Sequence, residues 1–205
     1  MQFDPESLSI RDLYGWMVQL ITPRPIAWVS TLSSTGIANL APYSFFNGVG
    51  ANPPTLVFCP SNNRFGEAKD TLANIRHTGE FVVNVVTEEW ATQMNATAAE
   101  FDTEVDEFDA ASVARTPSST VAPDRVQGCK AAFECRLLQT MSLGHGPGGA
   151  NLVIGRIVCI HVADSLLNAD GEFLSERLDT IGRLGGNGYS RTHDRFDLPR
   201  PKRPT

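Results

Sequence analysis

RPIAWVSTLSSTGIANLAPYSFFN (24–47) is the stretch on which the fold turns. IAWVSTL (26–32) is rich in β-branched and aromatic residues and reads as a strand, SSTG (33–36) as a turn, and IANLAPYSFF (37–46) as the returning strand of a hairpin. Pro42 stands in the middle of that second run. A proline lacks the N–H that a strand neighbour needs, so main-chain groups beside it are free to face something other than a ladder. Phe45 and Phe46 alternate across the strand, one toward a core and the other toward a ligand or a second subunit. Ser44 and Asn47 add small hydrogen-bonding side chains to that apolar bulk.

Outward from the hairpin the texture remains β-rich. TLVFCP (55–60) and FVVNVV (81–86) read as strands, and so do KAAFECRLLQTMSL (130–143) and NLVIGRIVCIHV (151–162), which the loop GHGPGG (144–149) joins. Gly155 within the last run predicts a bulge or tight bend, as in a closing barrel. DTLANIRHTG (70–79) predicts a helix with Asp70 as N-cap and Gly79 as its stop, and SIRDLYGWMVQL (9–20) one capped by Ser9 with Asp12 three positions on. A third helix opens at Thr87, Glu88 and Glu89 and runs to about Ala98. EFDTEVDEFD (100–109) reads as a solvated acidic excursion with Phe101 and Phe108 tucked beneath it. The expected fold is mainly β (α+β): a single domain over 1–205, a β-barrel with short helical inserts, an N-terminal helix within 1–20, and a polar, proline-rich arm at 187–205 lying on the surface or on a partner.

Composition removes several function classes. With 41% hydrophobic and 20% charged residues over 205 positions the chain can build a sizeable core. A net charge of −6, with lysine only at Lys69, Lys130 and Lys202, argues against a nucleic-acid partner. No run of about 18 apolar residues and no signal-like N-terminus is present, which points to a cytoplasmic protein without a membrane partner. Cys59, Cys129, Cys135 and Cys159 form no CxxC and have no histidine at a metal-binding spacing, so they read as reduced thiols and no metal is expected.

Two motifs mislead. GHGPGG satisfies G-x-G-x-x-G, but that fingerprint works by aiming a helix N-terminus at pyrophosphate, and here a strand follows. The four histidines have no H-x-H or H-x-x-x-H spacing. His77 reads as a helix-end cap and His161 as a structural strand residue, whereas His145, in an exposed glycine loop, is open to a substrate contact.

Small polar residues recur beside large apolar ones in 24–31, 39–47, 61–64 and 69–71, and this mixture suits a flavin. Its ring needs flat apolar contact, and its carbonyls and ring nitrogens need donors and acceptors. The phosphate end needs cations and donors. Arg64 offers a planar fork, Lys69 a point charge, Ser61 and Thr71 hydroxyls, and the helix after Lys69 its N-terminal N–H groups.

The ordered set RPIAWVSTLSSTGIANLAPYSFFN, NPPTLVF, KDTLANI, GEFVVNVV, LVIGRIV and GRLGGNGYSR resembles the flavin reductase-like, FMN-binding split-barrel proteins, flavoredoxins among them, over about residues 16–200. The resemblance implies a split β-barrel, a homodimer with flavin near the subunit interface, and flavin contacts at Thr31, at Tyr43, Ser44, Phe45, Phe46 and Asn47, and at Ser61, Arg64, Lys69 and Thr71. FMN is the implied cofactor, with FAD the alternative. The implied activity is electron transfer from a reduced nicotinamide, NAD(P)H, through bound flavin to a second acceptor. Release of reduced flavin to a partner monooxygenase and a non-catalytic carrier or sensor are the alternatives. Two departures bear on this choice: Gly50 and Asn52 stand where relatives often have serine and aspartate, and Gly149-Ala150-Asn151 stands where many two-component reductases carry Gly-Asp-His.

Overall fold

The computed structural model describes residues 1–203. Helix α1 (Ile10–Leu20) precedes strands β1 (Ala27–Leu32), β2 (Ala38–Tyr43), β3 (Phe46–Ala51) and β4 (Pro54–Phe58). Next come α2 (Asp70–Thr78), β5 (Glu80–Val85), α3 (Ala91–Ala96), α4 (Glu107–Ala110) and two short strands, β6 (Arg115–Thr116) and β7 (Arg125–Val126). The long hairpin β8 (Ala131–Ser142) and β9 (Asn151–Val162) and the small pair β10 (Ile181–Arg183) and β11 (Tyr189–Arg191) complete the chain.

Seven strands make one antiparallel sheet in the order β2-β1-β5-β8-β9-β4-β3. β2 and β3 are its two edges, yet only Ser44 and Phe45 lie between them. A flat sheet would hold those edges six spacings of about 4.8 Å apart, about 29 Å, whereas the link from Tyr43 to Phe46 spans at most roughly 11 Å. The sheet therefore curls until its edges meet. The result is a barrel split along β2 and β3, and Cys59 N–H donates to Phe45 C=O at 2.9 Å to hold the corner.

The expected single strand over 37–46 is thus corrected to two strands that face different neighbours. Pro42 does not break its ladder. It stays in register opposite Trp28, because β2 is an edge and a missing N–H there costs no second partner. Phe46 packs on the barrel core, while Phe45 turns toward α1, edge-on to Tyr14 at 6.2 Å, with the Arg24 guanidinium 5.8 Å from its ring.

β1 is buried on both faces. Ala27 and Val29 point inward to Phe58, Phe81 and Val153, and Leu72 and Ile75 of α2 plug the same core. Trp28 points outward to Leu40, Met94 and Phe108, its indole N–H donating to Thr97 Oγ1 at 2.9 Å. Each fully buried Val, Leu, Ile, Phe or Met among them contributes about 1.5–3 kcal/mol.

The helices follow the sequence with small shifts. Ser9 caps α1 through Asp12 N–H as expected. Lys69, not Asp70, is the N-cap residue of α2, and Gly79 ends that helix in the left-handed region at φ 71°. The helix expected over 87–98 is a 3-10 turn (Glu88–Trp90) followed by α3, which ends at Ala96. In the acidic excursion Phe108 is fully buried and Phe101 half-buried, but Glu107 is buried too, so this segment is not merely a solvated loop. The 187–205 arm begins as β11 and runs on without regular structure as far as 203; its last two residues lie outside the described ones. No helix among the described residues is long and apolar enough to cross a membrane.

Gly155 is explained by contact. The bulge expected there lies across the ladder, where the register shifts between Leu137 and Gln139 of β8. A Cβ on Gly155 would sit 2.3 Å from Cζ of the buried Phe81 ring. Gly155→Ala is expected to lower stability by about 1–3 kcal/mol through overpacking, read as a shift in urea-denaturation midpoint at unchanged slope.

Candidate functional site

A cavity of about 700 Å³ opens beside the β2 edge. Its walls come from β2 (Asn39, Ala41, Pro42, Tyr43), the loop 63–69 with the start of α2 (Asn63, Arg64, Phe65, Lys69, Asp70, Thr71), and the segment 97–107. The exposed side of an edge strand meets a helix N-terminus here, so unpaired main-chain groups and free helical N–H groups share one wall.

A polar network underlies that wall. Asn39 Oδ1 accepts from Thr71 Oγ1 at 2.5 Å and from Thr31 Oγ1 at 3.3 Å, and Asn74 Nδ2 donates to Thr31 Oγ1 at 3.0 Å. All four residues are buried. The Tyr43 hydroxyl bonds to Thr71; burial pushes its phenol well above the ordinary value, so it stays a neutral donor. Satisfied buried networks of this kind fix side-chain orientation.

The loop before α2 is held by its own turn chemistry. Asn63 Oδ1 accepts from Phe65 N–H at 2.9 Å and Glu67 N–H at 3.0 Å. The GHGPGG loop packs against its back, where Asn62 N–H donates to Gly149 C=O and Asn62 Nδ2 to Gly146 C=O. Gly66, at φ 86°, lets the two backbones touch, for a Cβ there would lie 3.0 Å from Gly146 Cα. The glycine-rich motif therefore buttresses the loop that carries Arg64.

Of the ten positions expected at a ligand, Tyr43, Arg64, Lys69 and Thr71 line the cavity. Thr31 lies one hydrogen bond behind it. The others are placed elsewhere in the single chain: Ser44 Oγ accepts from Arg24 Nε at 3.3 Å, Phe45 and Phe46 face α1 and the core, Asn47 is exposed, and Ser61 bridges to Ala150. Arg64 is exposed, lies over Phe65 at 4.9 Å and is 3.9 Å from the Glu100 carboxylate.

Asn39, which stands in the expected 39–47 stretch but not among its named contacts, and Glu107, which was not expected at all, also line the cavity. Glu107 opens α4, which Asp106 caps and Arg115 braces through Asp106 at 2.8 Å. Its Oε2 accepts from Leu40 N–H at 2.5 Å, tying the acidic segment to β2. Burial pushes its carboxyl up to about 7; the Leu40 N–H and the Asn39 amide oppose that rise, and Asp70 and Asp106 add to it. The available signal was Asp106 as a helix cap ahead of Phe108, a pattern that turns a charge run into a short helix with a buried face.

A second polar cluster lies on the outer face of the sheet. The spacing C-x-H at Cys159 and His161 carried no weight in the sequence. On β9, however, its period of two projects both side chains to one face, where they converge with Glu134 of β8 within 4.8 Å. His161 Nε2 lies 2.5 Å from Glu134 Oε1, and Ser119 N–H, Thr120 N–H and Thr120 Oγ1 donate to the same carboxylate at 2.6, 2.6 and 2.5 Å. Its four acceptor positions are filled. Burial alone would raise this carboxyl, but the bonds from Ser119, Thr120 and His161 win and hold it down to about 2.

Comparison with known proteins places the chain. Residues 19–177 match the flavin reductase-like domain, and the chain belongs to that family. It is similar to nitrilotriacetate monooxygenase component B from Bacillus cereus, at 33% identity and TM-score 0.91 over 97% of this chain and 98% of that one. It is also similar to 2-nitrobenzoate 2-nitroreductase NbaA from Pseudomonas fluorescens, at 32% identity and TM-score 0.88 over 98% and 96%. A split barrel domain protein from Shewanella frigidimarina shares the fold, at 24% identity and TM-score 0.82 over 98% and 100%.

The Glu134 cluster yields a prediction. A depressed carboxyl stabilises the fold above its unfolded value of about 4.3, and that contribution is lost as pH falls toward about 2. Glu134→Gln is expected to cost about 1–3 kcal/mol at neutral pH, because its amide NH₂ faces donors, and to show a flatter acid dependence. Denaturation midpoints measured as a function of pH test both.

Proposed function

We propose that this chain is an FMN-dependent oxidoreductase that takes a hydride from a reduced nicotinamide and passes the electrons to a second acceptor, acting as a cytoplasmic homodimer. The observation that carries this reading is the cavity itself, whose wall brings together a helix N-terminus, Arg64 and Lys69 with Ala41, Pro42, Tyr43 and Phe65. The donor set fits the group: cations and free N–H groups suit a phosphate, and flat apolar surface with a phenol and an amide suits a ring with carbonyls on its edge.

FMN, when bound, supplies the hydride acceptance and electron transfer that the side chains lack. Lys69 and Arg64 hold the phosphate, with Arg64 exchanging Glu100 for it. Thr71 and Tyr43 position the ligand through the Asn39–Thr31–Asn74 network, whose preorganisation means that little must be reordered on binding. Ser44, Phe45, Asn47 and Ser61 serve the ligand through the second subunit's side of the split, a role compatible with the exposed apolar face of α1 (Ile10, Tyr14, Leu20) close to Phe45. FAD is the alternative flavin.

A second reading, in which reduced flavin is handed to a partner monooxygenase, is favoured by the likeness to a monooxygenase component B. The likeness to a nitroreductase supports a small organic acceptor instead. Anaerobic mixing of the flavin-loaded protein with NADH and NADPH tests the reductase step: bleaching of the flavin absorbance is expected, and none would leave a carrier. Flavin that survives dialysis supports a resident cofactor, and flavin that washes out with rapid turnover when added back supports release to a partner.

Lys69→Ala separates the phosphate from the ring. FMN affinity is expected to fall by roughly 1–3 kcal/mol and riboflavin affinity to stay nearly unchanged, both measured by quenching of flavin fluorescence.

A further inference from the structure

The cavity that fits a flavin phosphate at its cations carries more acids than cations along the rest of its wall. Arg64 and Lys69 are the cations of its wall, and Glu67, Asp70, Glu100, Asp102 and Glu107 are the acids. Glu67, Asp70, Glu100 and Asp102 sit on the loop, on α2 and on the 97–103 segment, where water can screen them. Glu107 is different: it is only 6% exposed, the nearby Asp70 repels its charge, and the Asp106 beside it is already paired with Arg115. From β2 it meets only neutral groups, Leu40 N–H, the Asn39 amide and the Tyr43 phenol.

A dianion entering this space meets a buried carboxyl that cannot be screened. Two like charges in a shared low-dielectric site do not both stay ionised, and the cheaper arrangement puts a proton on the carboxyl. One Glu107 oxygen already accepts from Leu40 N–H. A proton on the carboxyl then gives a neutral donor at the cavity wall, able to bond to a ligand carbonyl, ring nitrogen or hydroxyl.

We propose that Glu107 is a ligand-contacting residue of the flavin site and that it binds the flavin as a neutral carboxylic acid, so that binding takes up a proton. This rests on the flavin reading above. Burial, with the nearby Asp70 adding to it, pushes the carboxyl of the free protein up to about 7, so proton uptake is expected on the alkaline side of that value. The sign follows from linkage: below that point the site is ready, and above it a proton must be captured first, so affinity falls up to tenfold for each unit of pH.

The test measures dissociation constants for FMN and riboflavin from about pH 6 to about pH 9 in the full-length wild type and in Glu107→Gln. Above about pH 7 the phosphate of FMN has finished titrating, and riboflavin has none, so neither obscures the result. Wild-type affinity for both ligands is expected to fall as pH rises, by about tenfold per unit at the alkaline end. Glu107→Gln, whose amide keeps an acceptor for Leu40 N–H and offers a permanent donor, is expected to match the wild type at the acid end and to stay flat. A second measurement needs no variant: calorimetry in buffers of different ionisation enthalpy is expected to show about one proton taken up per FMN bound at the alkaline end. Parallel pH profiles for the two proteins, a tenfold loss for Glu107→Gln at the acid end, or no proton uptake would overturn the assignment of Glu107 while leaving the flavin reading standing. No flavin binding by the wild type at any pH would overturn both.

Discussion

Two residues, Ser44 and Phe45, join strands that lie at opposite edges of a seven-stranded sheet. So short a link leaves the sheet no choice but closure, and closure places the β2 edge, with its proline, beside the N-terminus of α2. The Asn39–Thr71 bond then fixes helix against strand. Everything the cavity offers, from the phenol of Tyr43 to the ammonium of Lys69, takes its position from that corner. Arg24 reinforces it from outside: buried, it donates to Val18 C=O at 2.6 Å, Ile21 C=O at 2.8 Å and Leu184 C=O at 3.1 Å while reaching Ser44.

The site built on this corner combines rigid and adjustable parts. Thr31, Asn39, Thr71 and Asn74 are buried and mutually bonded, so they act as a fixed template. Arg64 and Glu100 are largely exposed and 3.9 Å apart, a pair of small energetic worth that a better anion can displace. Between them stands Glu107, a buried acid whose carboxyl is lifted by burial and bonded to Leu40 N–H. The division of labour is physical: burial sets orientation, and exposure permits exchange.

Much of this was legible in the residues. The β-branched runs, the turn at 33–36 and the αL glycine at 79 located strands and helix α2 to within a few positions, because local propensity and tertiary packing agree there. Arg64, Lys69 and Thr71 were legible as one cluster because they crowd the start of a helix, and all three line the cavity. The break at Ser44 was not, since IANLAPYSFF has uniform strand character and only the closure of the barrel decides where it turns. Glu107 was hidden in a run of acids that looks uniformly solvated, and its burial comes from Phe108 drawing α4 onto Leu40 and Met94. The meeting of Glu134 with His161 needed the register of β8 against β9, which no spacing within either strand reveals.

The central claim is that the cavity beside the split edge is where FMN sits, phosphate toward Arg64, Lys69 and the start of α2. A crystal structure of the protein soaked with FMN tests it most directly. The account predicts phosphate oxygens at about 3 Å from Lys69 Nζ and from main-chain N–H groups opening α2, with the ring against Pro42 and Tyr43. Flavin bound away from this wall, or a cavity left empty at saturating FMN with Arg64 still on Glu100, would contradict it.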